Sequence, residues 1–212
     1  MNKKKIYLFT RFERFWHWLQ ALLIFSLLLT GFEVHGTINL FGFHNAVKYH
    51  NFLGLTWIIL FIFILFWVFT TGEWRQYIPT TKKLFEVIGY YSSGIFKGAP
   101  HPVQKSKESK HNPLQRLTYL GLTAILLTLQ MVTGLLYWLY NDWAIWNLTF
   151  LDLRLLALIH LASAFAILTF IIVHLYMTTT GHTLTSLIVA MITGWEEVEE
   201  GEVADWEIQQ KP

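Results

Sequence analysis

Four runs of about twenty apolar residues recur along this chain, and each has the length a helix needs to cross a hydrocarbon core about 30 Å thick. Inside such a core a segment has to satisfy its own backbone polar groups, and continuous apolar runs of this length read as helices. The runs extend from Phe15 to Phe32, Val47 to Phe69, Leu117 to Tyr140 and Leu153 to Met177. The expected fold is therefore all-α, an integral membrane four-helix bundle. Composition agrees, with 54% hydrophobic and only 14% charged residues. Membrane lipid is the surrounding such a chain requires, and a net charge of +2 divided among segments argues against nucleic acid. The first run is not a removable signal peptide, because it is too long, lacks a small-residue cleavage site and carries His17.

Basic residues orient the bundle. Lys3, Lys4, Lys5, Arg11 and Arg14 precede the first run, and Arg75, Lys82, Lys83, Lys97, Lys105, Lys107, Lys110 and Arg116 lie between the second and third. The other two connections hold only Lys48 and Arg154, near span ends. By the positive-inside rule both termini and the long connection are cytoplasmic. Within the connection from Thr71 to Asn112, Lys82 to Tyr91 has a helical apolar pattern, read as a short interfacial helix, and Gly94 to Lys110 reads as loop. After residue 182 comes an apolar stretch too short to span, then seven of the fourteen acidic residues. The expected division is a four-helix transmembrane domain at 1–182 and a cytoplasmic interfacial helix with an acidic tail at 183–212. An internal repeat is also visible: Thr30-Gly31-Phe32 ends the first run and Thr133-Gly134-Leu135 the third, as in a duplicated hairpin.

Cysteine is absent, which excludes covalent c-type haem and thiolate-bound iron–sulfur clusters, so any redox cofactor here has to be held by histidine. His160 and His174 lie fourteen residues apart in one apolar run, just under four helical turns, on nearly the same face and roughly 21 Å apart along the axis. A single histidine at such depth more often bonds a neighbouring helix than a ligand, and it is the matching of several in depth that points to ligands. Depth pairs them with two others. His17, at the cytoplasmic start of an outward-running helix, shares a level with His174, and His50 shares the outer level with His160. Two ligands per level suit six-coordinate haem, whereas a bare zinc or copper ion wants three or four. Gly54, Ala162-Ser163-Ala164, Gly31, Gly121 and Gly134 thin the helix walls, although such residues also serve ordinary membrane packing. Arg14 and Arg154 lie on the aqueous side of His17 and His160 and are candidates to pair with haem propionates, the plainer reading being interfacial snorkelling. His44 falls outside the hydrocarbon, and His35, His101, His111 and His182 are outside the spans with no axial role expected.

The segments Arg11-Phe12-Glu13-Arg14-Phe15-Trp16-His17-Trp18, Thr30-Gly31-Phe32, His50, Asn112-Pro113-Leu114-Gln115-Arg116-Leu117, Thr133-Gly134, His160 and His174 together resemble the di-haem cytochrome b subunits of bacterial respiratory complexes. That group includes the membrane subunits of formate dehydrogenase, nickel–iron hydrogenase and thiosulfate reductase, and the opening thirty-odd residues look most like the last. The resemblance implies that His17 with His174 binds the cytoplasmic-side haem b, that His50 with His160 binds the outer one, and that a quinone site lies near the former. In the formate dehydrogenase relative an Asn-x-Gly segment before the third helix contacts quinone. Here it reads Asn112-Pro113-Leu114, in which leucine removes close backbone access and leaves Asn112 as the candidate.

These expectations combine into a cytochrome b subunit carrying electrons through two haem b groups between the quinone pool, menaquinone or ubiquinone, and a periplasmic redox subunit, an iron–sulfur protein or a multihaem c-type cytochrome. The alternatives are direct reduction of an external small molecule at the outer haem, and a non-redox membrane anchor in which the histidines pack or relay protons.

Overall fold

The computed structural model describes residues 3–99, 102–103, 111–181 and 183–199. Its elements are β1 (Lys3–Tyr7), α1 (Arg11–Val34), α2 (Phe43–Thr71), a short 3-10 helix at Glu73–Tyr77, α3 (Leu84–Gly89), α4 (Pro113–Gly121), α5 (Thr128–Trp138), α6 (Leu153–Thr178), α7 (Ser186–Thr193) and β2 (Trp195–Glu199). Four helical stretches are long and apolar enough to cross a membrane: α1, α2, Pro113–Trp138 and α6. Each includes one of the four apolar runs or nearly all of it, and polar flanks extend them. At the start of α1, Glu13 N–H donates to Thr10 Oγ1 (3.3 Å) while Glu13 Oε2 accepts from Thr10 N–H (2.8 Å), a reciprocal cap that starts the helix four residues before its first apolar run.

The third stretch is not a uniform α-helix. Between α4 and α5 the segment Leu122–Leu127 winds as a π-helix, and Thr128 Oγ1 donates to the carbonyl of Thr123 (2.9 Å) just past it. The interfacial helix expected in the long connection is α3, prolonged by a π turn at Tyr90–Gly94, and the one expected after residue 182 is α7. Most of the loop expected up to Lys110, the positions His101 and His182, and the end of the acidic tail lie outside the described residues.

Polarity in the spans is inverted relative to a water-soluble bundle. Thr30, Thr133 and Ser163 are buried, whereas Phe52, Ile59, Phe66 and Ile172 are exposed. Lipid tails are as apolar as leucine, so packing gains little by hiding leucine and phenylalanine, and polar contacts decide which face turns inward.

The chain divides into two units. One comprises Trp16–Trp67 and Thr123–Val173, and with them the two short connections. The other comprises Met1–Phe15, Val68–Leu122 and His174–Pro212, and so contains the long connection and both chain ends. In this second unit β1 pairs antiparallel with β2, Lys3 opposite Glu199 and Tyr7 opposite Trp195. The first part of the acidic stretch is thus a strand, a small sheet that the all-α expectation did not include. Gly194 makes the turn into β2 with φ +88°, and its carbonyl accepts from the backbone N–H groups of Leu8 (2.9 Å) and Phe9 (3.2 Å). A Cβ there would stand 2.6 Å from Tyr7 Cε2 and 2.7 Å from Phe9 O.

Gly194→Ala combines that clash with a left-handed conformation costing about 1–2 kcal/mol for an L-residue. The expected outcome is faster hydrogen exchange at the amides of Leu8 and Phe9, with the exchange of the four spanning helices unchanged.

Candidate functional site

In the unit with the short connections, α2 and α6 bring His50 and His160 together. Their ring centroids are 6.3 Å apart and their planes nearly perpendicular at 85°. Each imidazole is held by a threonine on a neighbouring helix: Nδ1 of His50 lies 3.0 Å from Thr30 Oγ1 on α1, and Nδ1 of His160 lies 3.0 Å from Thr133 Oγ1 on α5. The glycine after each threonine lets the helix close onto the ring. A Cβ on Gly31 would stand 3.3 Å from His50 Cε1, and one on Gly134 would stand 3.0 Å from His160 Cε1. Gly54 and Gly121, also expected to thin the walls, would meet nothing within 4 Å.

A second side chain bonds the ring of His160. The amide of Gln130 donates to His160 Nε2 (3.1 Å), and the carbonyl of the same side chain accepts from Ser163 Oγ. A ligand at His160 Nε2 therefore requires that amide to turn away. Glu33 holds the adjoining connection: its Oε1 accepts from the backbone N–H groups of Leu40 (3.0 Å), Phe41 (2.7 Å) and Gly42 (2.7 Å), and the side chain is 3% exposed.

Among the described residues no group of three or more His, Asp or Glu side chains is placed to hold a bare metal ion. Two imidazoles from facing helices, each engaged at Nδ1, are instead a pair of residues that could hold the iron of haem b. His17, also in this unit, lies edge-on to Trp18 at 5.1 Å between centroids. His44 and Arg154 are exposed. Asp152 caps α6 by accepting from the backbone N–H groups of Arg154 (2.7 Å) and Leu155 (3.0 Å).

The other unit holds His174, Arg14 and Asn112. Arg14 donates from Nη1 to the carbonyl of Ile192, which ties the start of α1 to the end of α7. Asn112 is the N-cap of α4: its Oδ1 accepts from Gln115 N–H (2.8 Å), the Asn112 backbone N–H donates to Gln115 Oε1 (3.0 Å), and Asn112 Nδ2 donates to Tyr91 Oη (3.3 Å). Next to it in sequence His111 packs between Tyr77 (5.4 Å) and Tyr119 (5.0 Å, edge-on). Burial, reinforced by the charge of Glu13, pushes the Tyr77 hydroxyl up to about 12, and burial also raises that of Tyr91.

Thr30 and Thr133 were visible in the sequence as a repeat without a role. Ser163 was visible only as a small residue beside His160, and Gln130 and Glu33 gave no signal beyond being polar residues within or beside apolar runs.

A family model described as prokaryotic cytochrome b561 matches residues 8–194. The chain belongs to this family. It is a membrane cytochrome b of the electron-transfer class and a multi-pass protein of the bacterial inner membrane, and family membership implies haem b. Among its relatives, the cytochrome YdhU of Escherichia coli (strain K12) is 32% identical over 203 residues, covering 91% of this chain and 75% of that one. The cytochrome b556 subunit of formate dehydrogenase from Haemophilus influenzae (strain ATCC 51907 / DSM 11121 / KW20 / Rd) is 28% identical over 174 residues, covering 76% of this chain and 65% of that one. The resemblance to bacterial cytochrome b membrane subunits is thereby established for nearly the whole chain.

Two outcomes follow from the geometry of the second unit. Asn112→Ala removes the cap of α4 and is expected to cost about 1 kcal/mol in thermal unfolding, with Asn112→Ser close to the parent. Tyr77 has a folded-state pKa above its unfolded value of 10.0, so its contribution to stability is intact below pH 10 and is lost as pH rises toward about 12. Tyr77→Phe is expected to flatten the alkaline limb of a stability–pH profile.

Proposed function

We propose that this cytochrome is the membrane subunit of a respiratory oxidoreductase and passes electrons through two haem b groups between the quinone pool and a redox partner on the outer, periplasmic side. The observation that carries the proposal is the His50–His160 pair, two facing imidazoles on separate helices, each backed by a threonine hydroxyl. These would hold the outer haem. His17 and His174 would hold the other, a pairing drawn from depth along α1 and α6 and from the fourteen-residue interval between His160 and His174. Haem b, when bound, supplies a one-electron ferric/ferrous couple. Held by two histidines each, the haems would relay single electrons rather than bind oxygen.

Quinone conversion moves two electrons and two protons, so it needs titratable groups close to water. The unit that contains His174 supplies them: Tyr77, His111, Tyr119 and Tyr91, with Asn112 donating to the Tyr91 hydroxyl. Menaquinone or ubiquinone would be processed there, on the cytoplasmic side given the basic long connection. Arg14 and Arg154 would pair with propionates through donors not spent on backbone. The partner would be an iron–sulfur protein or a multihaem c-type cytochrome, a role supported by the relative named as a formate dehydrogenase subunit. Each electron crossing the low-dielectric span works with or against about 2.3 kcal/mol per 100 mV, so vectorial transfer couples the reaction to proton-motive force.

The decisive measurement is a pyridine haemochrome assay on the purified chain, with a reduced-minus-oxidised spectrum. Two haem b per chain are expected, falling to one in His50→Ala or His160→Ala with quinol-driven reduction of the remaining haem preserved. His17→Ala and His174→Ala are expected to lose the other haem and with it reduction by quinol. A stoichiometry of zero or one in the parent chain would sink the proposal.

A further inference from the structure

Thr30 and Thr133 each have a single hydroxyl proton, and both spend it on their own helix, at the carbonyl of Ser26 (2.8 Å) and of Leu129 (2.7 Å) respectively. Toward the imidazole each oxygen is therefore an acceptor. At 3.0 Å from Nδ1 in both cases, it fixes Nδ1 as the protonated nitrogen and leaves the lone pair on Nε2. The Gln130 amide, donating to His160 Nε2, demands the same tautomer from the other side of the ring. Both threonines are 3% exposed, so bulk water has little access to replace their hydroxyls.

We infer that Thr30 and Thr133 are positioning residues that lower the reduction potential of the haem held by His50 and His160, each by accepting the Nδ1–H of its ligand. The inference rests on that assignment of ligands. An N–H that donates to oxygen leaves the ring more basic. A more basic ring stabilises ferric iron, which has one positive charge more than ferrous, so the couple shifts toward the oxidised form. The two threonines sit on different helices and share no partner, so their effects should combine nearly independently. Because Thr-Gly recurs in both hairpins, the haem receives the same treatment from both faces.

The test is spectroelectrochemical titration of the full-length, haem-loaded chain in a series that changes the hydroxyl in steps. Thr30→Val and Thr133→Val keep shape and remove the acceptor, Thr→Ser keeps the hydroxyl without the methyl, and Thr→Cys offers only weakly accepting sulfur. Each Val variant is expected to shift the ferric/ferrous ratio of this one haem at fixed poise roughly three- to tenfold toward ferrous, tenfold being about 59 mV for one electron. The double Val variant should approach the product of the two, Ser should match the parent, and Cys should fall between. The other haem's potential should not move.

Potentials unchanged in the Val variants, or Ser shifted as far as Val, would overturn the inference. Should a Val variant fail to take up haem, the Ser and Cys variants decide, and equal potentials in that pair overturn it as well. Failure of the underlying assignment has a separate signature. His50→Ala and His160→Ala would then keep full haem content whatever the threonines do.

Discussion

An imidazole set among apolar helices has two nitrogens to satisfy, and leaving one buried without a partner costs about 1–3 kcal/mol. Packing of leucine against leucine yields little to set against this, because lipid offers the same contacts. At His50 and His160 the Nδ1 atoms are satisfied by Thr30 and Thr133, whose helices must come close enough for a 3.0 Å contact. Gly31 and Gly134 permit that approach, since a side chain at either position would press on the ring. The inward faces of α1 and α5 are thus fixed by a hydroxyl and a missing Cβ rather than by bulk hydrophobicity.

The same Thr-Gly pair appears in both halves, and its surroundings differ between them. Three residues before Thr133 is Gln130, which bonds His160 Nε2, and three before Thr30 is Leu27. Fourteen residues after His160 is His174, whereas the residue fourteen after His50 is Ile64, a buried apolar side chain. The second half therefore carries both the extra polar contact and the extra histidine. Its hairpin also carries the π-helical segment Leu122–Leu127, while α1 is regular.

How much of this was legible in the sequence depended on the range of each interaction. The four spans were legible because twenty apolar residues have one outcome in a bilayer, and the level shared by His50 and His160 followed from counting turns. The Thr-Gly repeat was legible as a pattern, but its use was not, because a threonine in a membrane helix usually bonds its own backbone, as Thr30 and Thr133 also do. Asn112 was read as a ligand contact, yet Asn-Pro-x-Gln is equally a helix start, and the structure spends its Oδ1 on the cap. The pairing of β1 with β2 was out of reach for a different reason. Its two strands are separated by almost the whole chain, and neither is long or apolar enough to announce itself.

The distribution of titratable groups gives the two units different capacities. The side chains that bond the His50 and His160 rings are Thr30, Thr133 and Gln130, with Ser163 behind the last, and none of these exchanges a proton in the ordinary pH range. Glu33, the buried carboxylate of that unit, has one oxygen committed to three backbone N–H groups of the adjoining connection, which gives it a structural task. On the proposed function, a redox centre at these imidazoles would gain or lose an electron without a proton following from the side chains that bond the rings. The unit that contains His174 is built the other way, with Tyr77, His111 and Tyr119 in mutual contact and Glu13 acting on Tyr77. On the proposed function, chemistry that couples electrons to protons would draw on these groups, whereas the ring contacts at His50 and His160 offer none of that kind.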